Sequence, residues 1–105
     1  MEEEERERLL RDYSIGVRYP EVSGFEVLEL LDLRSRITGL EAELTEDEKR
    51  MLEEADSVFL NQASRFYESL SQVANLAEMR EQVGVTPSHW WWYLERLVQA
   101  EKVAS

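Results

Sequence analysis

Leu52, Phe59, Phe66 and Val73 recur every seven residues, and Ala63, Leu70 and Ala77 interleave four after and three before them. A strand would alternate every second residue, so this spacing specifies a helix with one apolar seam. Leu60, Tyr67 and Ala74 widen the seam. The large Phe and small Ala side chains suit close interdigitation with a neighbour. Thr45-Glu46-Asp47-Glu48 heads the segment as a capping box with acids in the first turn. A helix running from Glu46 to about Gln82 would be roughly 55 Å long. A compact domain of this size has a radius of gyration of only about 13 Å. The segment therefore either breaks near Ser69–Asn75 or stays whole and takes a second chain, which would make a homodimer.

The remaining elements follow from local signals. Residues 2–12 are strong helix formers with Glu2/Arg6, Glu4/Arg8 and Glu7/Arg11 four apart. Their apolar handle is Leu9-Leu10-Tyr13, and residues 1–8 are expected to fray. Residues 14–24 hold two glycines and Pro20, and read as a loop packed on the bundle. Ser23-Gly24-Phe25-Glu26 is a second capping box. The stripe Leu30, Leu33, Ile37, Leu40, Leu44 follows it, with a helix end expected near Arg36, ahead of Thr38-Gly39. Gly84 should close the long segment, and Thr86-Pro87 should open a last helix to about Lys102. The expected fold is all-α: a small antiparallel bundle of three to four helices, one domain over 1–105, built on the central helix at roughly 46–82.

Charge narrows the function classes. The chain carries 23 acidic against 12 basic residues, net −11. That field repels nucleic acid and anionic lipid, so neither direct nucleic-acid binding nor membrane association is expected. A basic partner is compatible, including a protein whose nucleic-acid groove the chain would occupy as an acidic mimic. There is no cysteine, which removes disulfides, thiolate metal sites and cysteine nucleophiles. The acidic start Met1-Glu2-Glu3-Glu4-Glu5 is unlike a secretory leader, and the expected location is the cytoplasm. No cofactor is expected.

Aromatic surface is concentrated in His89-Trp90-Trp91-Trp92-Tyr93, which holds all three tryptophans and the one histidine. On a regular helix Trp90, Leu94, Leu97 and Val98 share a stripe, with Trp91 and Tyr93 on its shoulders. These are read as core anchors. Trp92 falls on the opposite face among Glu95, Arg96 and Gln99. It packs under another segment, the loop 14–24 or the first helix, or lies in a protein interface, or is simply an exposed side chain. Trp92, Arg96 and Gln99 are the candidate contact residues, with His89 a surface or capping residue.

One carboxylate pattern carries possible chemistry. Glu26-Val27-Leu28-Glu29 and Glu53-Glu54-Ala55-Asp56 form E-x-x-E followed by E-x-x-D. The pair resembles the acidic pattern of the all-helical, MazG-like nucleotide pyrophosphatases. The resemblance covers two four-residue motifs and implies Mg²⁺ held between two facing helices by Glu26, Glu29, Glu53 and Asp56. The expectation from the rest of the chain is different: no catalysis, and a role in self-association or binding another protein.

Overall fold

The computed structural model describes residues 2–104, with side chains for residues 4–99. Among the described residues the chain is all-α. Its helices are α1 (Glu2–Gly16), α2 (Gly24–Thr38), α3 (Glu46–Asn61), α4 (Ala63–Ser71), α5 (Leu76–Val83) and α6 (Leu94–Ala104). Single 3-10 turns at Glu41–Glu43 and Trp90–Trp92 lie between them. α1 packs on α2 and α3, α2 on α4, and α4 on α6, while the tryptophan turn lies against α2.

Local signals place most helix ends. Ser23 Oγ accepts the Glu26 N–H at 3.3 Å, and the Glu26 carboxylate takes the Ser23 N–H at 3.2 Å. Thr45 and Glu48 repeat the arrangement at 3.2 and 2.9 Å. Gly84 closes α5 at φ 74°, a left-handed conformation that glycine adopts without strain. α2 ends at Thr38, two residues beyond the expected stop, and Gly39 keeps right-handed dihedrals. α1 runs on to Gly16, so the expected loop 14–24 shrinks to residues 17–23. Ser14 and Ile15 are no barrier to a helix whose Leu9, Leu10 and Tyr13 are buried. Of the stretch expected to fray, residues 2–8 stand in α1, and Arg6 pairs with Glu48 at 3.0 Å. Met1 lies outside the described residues. Burial works against the Glu48 carboxylate, but hydrogen bonds from the Thr45 backbone and from Arg6 outweigh it and hold its pKa below the usual range.

The expected central helix is corrected. It is three helices, bent at Gln62 and turned at residues 72–75. Its seam survives the first break: Leu52, Phe59, Ala63, Phe66 and Leu70 are all buried, and the Phe59 and Phe66 rings stack at 5.3 Å. It ends at the second, where Val73 and Ala77 are exposed. A 55 Å rod has no room in a globule of 37 × 31 × 25 Å. The length that invited a second chain is therefore absent. The last helix is corrected too: residues 87–93 are irregular around the 3-10 turn, and α6 starts only at Leu94.

Candidate functional site

Arg34 is 4% exposed and lies in line with Val27, Leu30, Leu31 and Ile37 on the buried face of α2. A buried guanidinium needs partners on every side. Its Nε and Nη2 donate to the two Asp56 oxygens at 2.9 and 3.0 Å, a bidentate fork across α2 and α3. Nη1 donates to Thr38 Oγ1 at 2.7 Å, and Glu41 stands 3.6 Å away. The face of the guanidinium lies over the Trp91 ring, 4.3 Å from its centroid. The Tyr13 hydroxyl completes the group by donating to Asp56 at 2.6 Å. Burial first, and the Asp56 carboxylate second, push the Tyr13 phenol above its ordinary range, so it stays protonated and donates.

Next to Arg34, Ser35 forms a second node. Its Oγ accepts the indole N–H of both Trp91 and Trp92, each at 3.0 Å, and lies 3.0 Å from His89 Nδ1. A hydroxyl has two lone pairs and one hydrogen. Two indoles fill the lone pairs, so the hydrogen is left for His89 Nδ1. A serine held by a histidine is the start of a nucleophile–base pair. Here neither lone pair is left to attack an electrophile, and the group serves instead to fasten the C-terminal third to α2.

Trp92 is 3% exposed. It packs under another segment, which is α2 rather than the loop or α1, because the 3-10 turn aims Trp91 and Trp92 at one oxygen where regular helical spacing would part them. Trp91 is the buried anchor expected, while Trp90 and Tyr93 are partly buried against the core. Arg80 braces the turn, donating to the Trp92 carbonyl at 3.0 Å and to Glu95 at 2.7 Å, and stacking 4.1 Å from the Tyr93 ring centroid. Of the three contact candidates, Arg96 and Gln99 are exposed and Trp92 is covered within the chain.

The four carboxylates of the pyrophosphatase-like pattern are not brought together. Glu26 caps α2. Glu29 lines a cleft with Leu28, Asp32, Leu33 and Arg36. Glu53 and Asp56 line another, of about 450 Å³, over Leu44, Lys49 and Leu52. Both Asp56 oxygens are held by Arg34. Among the described residues no group of three or more His, Cys, Asp or Glu could hold a metal ion. Asp56, four residues after Leu52 and three before Phe59, is an acid on the apolar stripe of α3, and its reason is Arg34. Sequence reasoning missed that arginine, although its i+4 spacing from Leu30 on a buried face was the available signal.

Among the described residues seven large apolar side chains are exposed, and three of them, Met51 and Leu60 on α3 and Val83 on α5, lie apart from the rest. Tyr19 and Phe25 are each 64% exposed and Ile15 is 51% exposed. All three lie where α1 hands over to α2. The end of α4 meets Gly24 there: a Cβ on Gly24 would collide with Val73 Cγ2, and Val73 is itself exposed. No helix among the described residues is long and apolar enough to cross a membrane. Comparison of the chain with family models, with curated proteins and with solved structures finds no match.

Proposed function

We propose that this chain is a non-catalytic cytoplasmic module that binds another protein through the end of the molecule where α1 meets α2. One observation carries the reading: two aromatic side chains, Tyr19 and Phe25, stand 64% exposed within six residues of each other. Ile15 and Val73 stand at the same end. Aromatic groups contribute most when a partner covers them, and a group of them is rarely left wet without use. The net charge of −11 makes like-with-like docking costly and favours a partner with a basic rim. Arg96 and Gln99 on α6 are the secondary candidates. A photo-crosslinking residue at Tyr19 should trap one discrete species in cells, and Phe25→Ser should abolish it. The purified species should then bind one to one, at least tenfold more weakly to Phe25→Ser. Equal crosslinking from exposed Glu54, or a product that is only a second copy of this chain, would defeat the proposal.

A further inference from the structure

Ser35 Oγ stands 3.0 Å from each of three nitrogens, the indole Nε1 of Trp91, the indole Nε1 of Trp92 and His89 Nδ1. An indole nitrogen only donates, and a hydroxyl offers two lone pairs and one hydrogen. Ser35 satisfies all three neighbours in one way, with Nδ1 accepting. A charged imidazole carries a hydrogen on both nitrogens and accepts nothing. Three donors then converge on an oxygen with room for two, and one of them must leave.

We propose that this node is a pH-sensitive latch, in which protonation of His89 frees the Trp92 indole from Ser35 and loosens the Trp90–Trp92 turn from α2. A hydrogen bond from an imidazolium is charge-assisted and stronger than one from an indole, so an indole yields. Trp91 is gripped through its ring, by His89 at 4.8 Å, by Trp90 at 5.4 Å and by the Arg34 guanidinium at 4.3 Å. No such ring contact holds Trp92 among the described residues, and its indole is tied by the Ser35 bond. The displaced Ser35 hydrogen has the carbonyl one turn back in α2 to turn to, as a helical serine does. The charged surroundings do not rescue the imidazolium. Arg34 already lies over the indole that His89 packs on. The acids of the neighbouring elements are taken: Asp32 by Arg36 at 3.0 Å on α2, Asp56 of α3 by Arg34 at 2.9 Å, and Glu95 of α6 by Arg80 at 2.7 Å. The latch is therefore closed while His89 is neutral and opens as the pH falls. It uses none of Ile15, Tyr19 or Phe25, so it stands or falls apart from the proposed partner surface.

The test follows the indole N–H resonances of the full chain by NMR between about pH 5 and 8, the window in which histidine changes charge. The chain has one histidine, so no other imidazole contributes. Hydrogen-exchange protection is measured against N-acetyl-tryptophanamide at each pH. Protection of the Trp92 indole should fall at least tenfold from the top of the window to the bottom, while that of Trp91 holds. His89→Asn puts a side-chain oxygen where Nδ1 stands, accepts from Ser35 and never charges, so its Trp92 profile should be flat. If that variant does not fold, the ring nitrogens of the unaltered His89 decide. Nδ1 should be bare at the top of the window and gain its hydrogen with the same midpoint as the Trp92 change. A flat Trp92 profile in the unaltered chain, the same fall in His89→Asn, or a hydrogen on Nδ1 of the neutral ring would overturn the proposal.

Discussion

Removing the Asp56 carboxylate leaves the Arg34 guanidinium, 4% exposed, without its bidentate partner. Asp56→Ala should therefore cost about 3–5 kcal/mol of unfolding free energy in denaturant titration. Replacing both charges, Arg34→Met with Asp56→Leu, should recover most of the loss, because the penalty belongs to the stranded charge. If the pair were worth its geometry alone, the double variant would be no better than the single one. Tyr13 adds a pH dependence. Its phenol is raised in the folded state, so its contribution is fully present below about pH 10, the ordinary tyrosine value, and is lost as pH climbs above it. Above that point the native chain should lose up to about 1.4 kcal/mol per pH unit more steeply than Tyr13→Phe. Coincident stability curves for the two would place Tyr13 outside the network. At this scale the sequence was half legible. Asp56 on an apolar stripe called for a partner, but two acidic motifs of matching spacing drew the eye to a metal, and only the register of α2 against α3 turns that acid toward Arg34.

Helix ends were the most readable elements because their causes are local. The Ser23 and Thr45 boxes and the left-handed Gly84 each act within four residues, so sequence alone holds the whole signal. The bend at Gln62 has no such signature. Asn61-Gln62-Ala63 contains no helix breaker, and the kink is set by what each half packs on, α3 on α1 and α4 on α2 and α6. The turn at 72–75 falls inside the stretch where a break was expected. The Trp90–Trp92 turn was illegible for a third reason: a regular helix satisfies its own backbone, but it cannot aim two successive indoles at one oxygen. A close approach also decides Gly24. A Cβ there would lie 2.5 Å from the Ser69 carbonyl oxygen, which is backbone and cannot swing aside. Gly24→Ala should lower stability by about 1–3 kcal/mol in thermal melts despite alanine's better helix propensity. A gain instead would mean that α2 and α4 can separate at no cost.

Taken whole, the molecule has a radius of gyration of 13.6 Å, close to what a compact chain of this length requires, and it reaches that size by bending the seam at Gln62 and turning the chain again at residues 72–75. All-α class and the identity of most core residues were open to pattern reading, since hydrophobic spacing survives a bend. Which surface stays wet was not, because the exposure of Tyr19 and Phe25 is set by how the helices pack and not by their local spacing. Ser35 joins the two ends of this arrangement. Its contacts to His89, Trp91 and Trp92 span 54, 56 and 57 residues of chain. Contacts of that span close late, after the helices and their near neighbours have met. Ser35→Ala leaves two buried indole N–H groups unpaired, a loss of about 1–3 kcal/mol. That loss should appear almost entirely as faster unfolding, with the refolding rate nearly unchanged. Stopped-flow mixing with tryptophan emission as the signal measures both limbs, and slowed refolding would put the contact in the nucleus. Because two of the three fluorophores hang on a single oxygen of α2, the chain carries its own clock for the final step of its assembly.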